Sequence, residues 1–226
     1  GTGRAFASPA AAAALRVSLV TTGPATALSV VLGLPLAWVQ ARSTARGITL
    51  LRAVTTLPIV LPPVVGGVAL LAAFGRRGLL GQWLERTAGI SIPFTTTAAV
   101  LAATFVSMPF LVLTVEGAMR SMDERAEDAA RTLGARPWTV FRRITLPAVG
   151  PAALAGAVLA GARALGEFGA TVTFAGSFPG RTQTLPLAVH SLLETDLDAA
   201  ISLSVLLVAL SLAVLVALRG MWLRSG

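Results

Sequence analysis

Five stretches without a single Asp, Glu, Lys or Arg divide this chain, and each is about as long as a bilayer is thick. Arg16 and Arg42 enclose 25 uncharged residues, Arg52 and Arg76 enclose 23, Arg86 and Glu116 enclose 29, Arg143 and Arg163 enclose 19, and Asp198 and Arg219 enclose 20. A helix needs about 20 mostly apolar residues to cross a hydrocarbon core of about 30 Å. The spacing predicts an all-α integral membrane protein: one transmembrane domain over 1–226, with spans near 17–41, 53–75, 94–115, 147–168 and 199–218. A sixth apolar segment, Leu185–Leu193, is too short to cross and reads as a re-entrant or surface helix. The first stretch is too long for a cleaved signal peptide and lacks its charged, apolar, small-residue order.

Composition excludes the soluble classes. Residues are 55% hydrophobic and 12% charged, whereas a soluble domain carries about a quarter charged. The net charge of +8 does not indicate nucleic acid, because all 18 basic residues are Arg and lie between the apolar runs rather than in one stripe. Without Cys, and with His190 alone of its kind, no transition-metal site is expected. His190 is expected near Glu194, Asp196 and Asp198 at a solvated loop end. If the segment between the third and fourth spans is cytoplasmic, eleven arginines lie inside and seven elsewhere, which puts the N-terminus outside and the C-terminus inside. Trp38, Trp83 and Trp222 near span ends fit an interfacial belt. No C-terminal regulatory domain is expected after the last span.

Two spans are irregular. The second contains Leu57-Pro58-Ile59-Val60-Leu61-Pro62-Pro63-Val64-Val65-Gly66-Gly67, whose prolines and glycines interrupt hydrogen bonding that lipid cannot repair but a protein-lined cavity can. It reads either as a broken helix beside a transport path or as a proline kink. In the fourth, Ala152, Gly156, Ala160 and Ala164 recur every four residues and admit close approach of another helix, within the subunit or across a dimer.

Positions 116–143 hold eleven of the 28 charged residues, a density that hydrocarbon does not tolerate. Ser121 and Glu124 have capping-box spacing, and Asp123, Glu127 and Asp128 add acid near the helix start. A helix over 122–133 is expected, ended by Gly134 in the left-handed conformation. A second short element then begins at Arg136-Pro137. The island reads either as a solvated loop helix or as a docking surface, with Ala129, Ala130 and Leu133 as an apolar patch and Trp138 and Phe141 beside it.

Asp128-Ala129-Ala130, three residues, Gly134, nine residues, Ile144, one residue, Leu146-Pro147 resembles the EAA loop of ABC importer permeases. The resemblance implies the type I importer permease fold, with 120–147 as a cytoplasmic loop whose coupling helix sits in a cleft of an ATPase subunit. It assigns ATPase coupling to Asp128, Ala129, Ala130, Leu133, Gly134, Ile144, Leu146 and Pro147. Asp128 stands where the family usually has Glu, and Glu127 lies beside it. Downstream, Arg163-Ala164-Leu165-Gly166-Glu167-Phe168-Gly169-Ala170-Thr171-Val172-Thr173-Phe174 and Pro179-Gly180-Arg181-Thr182-Gln183-Thr184-Leu185-Pro186 are similar to molybdate permease subunits. So are 57–67 and Gly75-Arg76-Arg77-Gly78, and sulfate and tungstate permeases share much of the pattern. The similarity, from about 15 to 218, implies a non-catalytic subunit in the cytoplasmic membrane of a prokaryote, importing molybdate, or tungstate or sulfate, by alternating access. It further implies a homodimer, two cytoplasmic ATPase subunits that hold ATP and magnesium, an external binding protein, and no cofactor on this chain.

Candidates for the anion path or its gate are Pro62, Pro63, Gly66, Gly67, Arg163, Gly166, Glu167, Gly169 and Thr171. Arg163 and Glu167 are four apart and can pair on one helix face; ionisable groups at membrane depth are also functional candidates. An acid repels a divalent oxyanion, so Glu167 reads as a brace or gate rather than a ligand. Gly166 and Gly169 permit a bend, and Thr171 and Thr173 offer hydroxyl donors. Arg181 and residues 182–184 read as a contact for the binding protein or as a solvated turn. The rival classes, an integral-membrane enzyme and a self-sufficient channel or secondary carrier, lack their signatures. There is no Gly-x-Ser-x-Gly, His-Glu-x-x-His or Walker loop, no Lys for a Ser–Lys dyad, and no internal repeat of the kind carriers show.

Overall fold

Proline stands in the first turn of several helices, among them Pro63, Pro137, Pro151 and Pro186, where its missing N–H breaks no helical hydrogen bond. The computed structural model describes residues 9–123 and 125–222, with the side chains of 215 and 217–222 outside that description. Glu124, Arg224 and the side chains of Arg219 and Trp222 therefore lie outside the described residues. Helix α1 (Pro9–Arg42) keeps both Pro24 and Pro35 within one helix. Its 34 residues rise about 51 Å, well beyond a hydrocarbon core of about 30 Å. Helix α5 (Thr96–Ser121) starts where the Thr95 hydroxyl accepts the Ala98 amide, at 3.2 Å.

Among the described residues, three helices are long and apolar enough to cross alone: α1, α5 and the Leu197–Val214 part of the last helix; the count rises to five if each of two bent pairs forms one span. The second expected span, 53–75, is divided. Helix α2 (Ile48–Val60) stops at Leu61-Pro62, and α3 (Pro63–Phe74) restarts with Pro63 in its first turn. Pro62 and Pro63 lack the N–H groups an unbroken helix would need there. Helix α4 (Leu79–Ala88) follows at 43° to α3.

After α5 come the short helix α6 (Arg125–Thr132), α7 (Pro137–Val140), a π turn over Phe141–Thr145, and α8 (Leu146–Ala148). A bend of 75° separates Pro137–Ala148 from α9 (Gly150–Leu165). The expected span 147–168 is thus shorter at both ends: Pro147 lies before the bend, and the helix stops at Leu165, with the chain turning through Gly166–Phe168 into α10 (Gly169–Phe174). Helices α11 (Leu185–Leu193) and α12 (Leu197–Trp222) complete the chain.

The core forms where α1, α5 and α9 meet. Ala37, Leu111, Val112, Val115, Met119 and Ala160 are buried together there. Glycine makes the closeness possible. A Cβ on Gly33 would come within 2.8 Å of Leu111 Cδ2, and one on Gly156 within 3.2 Å of Leu111 Cα. The small-residue row of α9 therefore packs inside the subunit, with Gly156, Ala160 and Ala164 buried. Ser29 and Ser107 share a buried hydrogen bond between α1 and α5 at 3.2 Å. Trp38 packs on Phe141 with ring centroids 5.1 Å apart, so it is a packing residue rather than a belt residue.

A second cluster joins α3, α5 and α10 through Leu70, Ala98, Ala102, Val106, Ala170 and Phe174. Helix α11 packs on α1 and α12, and the Leu185 amide donates to Ser18 Oγ at 2.7 Å.

Candidate functional site

The charged island folds into α6 and its surroundings, with a different start from the one its spacing suggests. Ser121 is the last residue of α5 and donates to the Ala118 carbonyl, so it caps no helix. Asp123 Oδ1 instead accepts the Arg125 amide at 3.0 Å. The stop is a Schellman motif. Gly134 has φ +83°, its amide donates to the Arg131 carbonyl, and the Ala135 amide donates to the Ala130 carbonyl.

The outward face of this loop carries Asp128 and Ala129, with Leu133 89% and Trp138 63% exposed. Asp128 pairs with Arg131 Nη1 at 2.9 Å on the surface. Phe141 does not belong to this face: it is buried in the core against Trp38 and Trp138. Ile144 and Leu146 are half-buried and Pro147 exposed, on the turn that leads to α9.

Beneath the exposed face lies a residue that the sequence marks only as an acid near the helix start and a neighbour of Asp128. The side chain of Glu127 is fully buried. Its carboxylate accepts from Arg42 Nε and Nη2, both at 3.1 Å, from Thr145 Oγ1 at 2.7 Å and from Arg131 Nη2 at 3.1 Å. Burial alone would raise the Glu127 carboxyl. The hydrogen bonds from Arg42 and Thr145, with the charges of Arg42 and Arg131, outweigh that and hold it below the usual carboxylate range. A second buried acid, Glu116, takes Arg52 and Arg120, each at 3.0 Å. Both arginines also donate to the Gln40 carbonyl near the end of α1, and Gln40 Nε2 donates to Thr55 Oγ1 at 2.7 Å. Arg120 and Arg131 are each four residues from their acid, but Arg42 and Arg52 lie 85 and 64 residues from theirs, so no local pattern exposes those two.

The second constellation lies at the far end of α9, about 24 Å along 16 residues of helix. A cleft of about 260 Å³ is lined by Pro63, Val64, Arg163, Gly166, Glu167, Phe168 and Gly169. It forms where the two broken segments α3 and α10 come together. A Cβ on Gly169 would sit 2.9 Å from Pro63 Cβ, and one on Gly67 would sit 2.3 Å from Thr173 Oγ1 and 2.8 Å from the Ala170 carbonyl oxygen. Arg163 Nη1 lies 2.7 Å from Glu167 Oε2. Glu167 Oε1 accepts the Ala170 amide at 2.8 Å, which ties the end of α9 to the start of α10. Of the other path candidates, Pro62 caps α3, Gly66 is buried under Phe105, Gly67 faces Thr173, and Thr171 is buried; none of these four lines the cleft.

Residues 182–184 turn inward more than a docking loop would. Thr182 is buried; its hydroxyl accepts the Phe178 amide and donates to the Gly176 carbonyl. Thr184 is buried, and Arg181 remains exposed. His190 stacks on Phe168 with centroids 5.0 Å apart. Among the described residues, no group of three His, Cys, Asp or Glu is placed to hold a metal ion.

A helical membrane protein with an exposed, sharply terminated loop helix at one end and a broken-helix cleft towards the other has the architecture of a transport subunit. Residues 29–223 match the family described as binding-protein-dependent transport system inner membrane component, and the chain belongs to that family. It is 55% identical over 204 residues to the molybdenum transport system permease protein ModB of Mycobacterium tuberculosis, a match covering 90% of this chain and 77% of the other. It is 35% identical over 220 residues to the sulfate transport system permease protein CysT of Escherichia coli, covering 97% and 79%. Its backbone is similar to that of a bacterial alginate ABC transporter solved in complex with an alginate pentasaccharide-bound periplasmic protein. That match has TM-score 0.74 and 16% identity, and covers 98% of this chain and 81% of that one. The fold is that of a type I ABC importer permease.

Proposed function

We propose that this chain is the membrane-spanning subunit of an ATP-driven importer of molybdate. The observation that carries the reading is 55% identity across 90% of the chain to a molybdenum permease. The lower, 35% identity to a sulfate permease supports sulfate as the second reading, and tungstate shares the same tetrahedral oxyanion chemistry. No nucleotide-binding loop occurs in the sequence, so ATP and magnesium belong to a separate ATPase subunit and this chain needs no cofactor. Two copies of the permease, two ATPase subunits and an external binding protein complete the transporter, in a cytoplasmic membrane with the N-terminus outside.

The exposed face of α6, with Asp128, Ala129, Ala130, Leu133 and Gly134, enters the ATPase cleft. Closure of the ATPase pair on ATP then moves α6, and the membrane helices behind it follow. At the far end, the Arg163–Glu167 pair braces the junction of α9 with α10. Arg163 is the cation in the lining of the cleft, and an arriving oxyanion competes with Glu167 for its guanidinium. The test is the molybdenum content of a deletion strain grown at scarce molybdate, with and without excess sulfate. Molybdenum should collapse and return on complementation, and sulfate should not reproduce the loss in the parent. Unchanged molybdenum with impaired sulfate uptake would replace the substrate.

A further inference from the structure

Helix α6 is held to the membrane body in an unusual way. The backbone on either side of it is non-helical: Met122 is extended (φ −75°, ψ 139°) at the end of α5, and Gly134 is left-handed. Neither junction continues a helix, so neither transmits a push as a rigid rod. Glu127 is the one residue of α6 that is buried, and among the described residues only it bonds from α6 to the core helices. Its carboxylate accepts two parallel N–H bonds from Arg42, the last residue of α1, and a third bond from the hydroxyl of Thr145, on the π turn that leads to α9. An apolar anchor would let α6 slide or rotate; a two-pronged arginine–carboxylate bond fixes direction as well as distance.

We infer that Glu127, Arg42 and Thr145 form the tether through which displacement of α6 is delivered to α1 and α9, making them positioning residues for the coupling of ATP turnover to transport. This rests on the importer reading and adds a claim about how force enters the membrane domain. The surface pair Asp128–Arg131 is local to α6 and delivers nothing to the core.

The experiment uses the assembled transporter in proteoliposomes, loaded with binding protein and molybdate, with ATP hydrolysis and molybdate uptake measured together. The variants are Arg42→Lys, which keeps the charge but removes the two-pronged grip, and Thr145→Val, which keeps the shape and removes the hydroxyl. Both should assemble and hydrolyse ATP within about twofold of wild type, while molybdate moved per ATP falls at least about fivefold, the low end of a typical coupling energy. An unchanged ratio overturns the tether, whether both rates are unaltered or fall together. So does failure of Arg42→Lys to assemble, which would make the cluster a folding element only. If wild type hydrolyses ATP without moving molybdate, the importer reading itself fails, and that outcome is distinct from the other two.

Discussion

Buried carboxylates set the behaviour of this protein at the residue scale. Glu127→Gln keeps the shape but removes the charge that balances Arg42, whose side chain is only 11% exposed. Breaking one side of a buried pair costs about 3–5 kcal/mol, so thermal unfolding of the detergent-purified variant should occur at a clearly lower temperature. The sign of the pH dependence follows from the lowered Glu127 carboxyl. Its stabilising contribution is complete above the ordinary value of 4.5 and is lost as pH falls through the lower folded value. The gap in unfolding temperature between wild type and Glu127→Gln should therefore be constant near neutrality and close only in acid; a gap that opened as pH fell would contradict this account. Gly134→Val places a β-branched residue at φ +83°, at a cost of about 1–2 kcal/mol. It should lower molybdate uptake while leaving the core intact, as circular dichroism would show. The Arg163–Glu167 pair was legible in the sequence because the two residues are only four apart, although the helix ends at Leu165 between them. The Glu127–Arg42 pair was not, since only the packing of α1 beside the loop brings it together.

At the scale of elements, the informative features are interruptions. Prolines at 58, 62 and 63 announced a break, and it falls at Leu61-Pro62. The break after Leu165 was foreshadowed only by Gly166 and Gly169, because whether a glycine bends a helix depends on what packs against it. Ser121 shows the opposite error. Its spacing to Glu124 suits a cap, but Ser121 is the last residue of α5 and Met122 after it is extended, while Glu124 lies outside the described residues. The α3–α10 contact gives a direct prediction. Gly67→Ala drives a methyl into Thr173 Oγ1 and the Ala170 carbonyl oxygen, and such overpacking costs about 1–3 kcal/mol. Transport should fall more than in Gly161→Ala, where the new Cβ meets only the Thr26 side chain, at 3.1 Å. Equal uptake in the two variants would show that the α3–α10 approach does not matter.

For the whole molecule, α1, α5 and α9 form one packed body, with the tether cluster at one end and the cleft near the other. Membrane location and helical class were readable from the charge-free lengths alone, since hydrocarbon admits so few alternatives. Orientation rests on arginine placement and is checkable because the chain has no Cys. A membrane-impermeant thiol reagent added to intact cells should label Arg181→Cys and spare Arg136→Cys, both at exposed positions; the reverse pattern would invert the topology. The most direct test of the central claim is molybdate uptake by proteoliposomes containing this chain, its ATPase and its binding protein. Uptake should require all three components and ATP, and should persist under a large excess of sulfate. Uptake without the ATPase, or uptake abolished by modest sulfate, would contradict an ATP-driven molybdate importer.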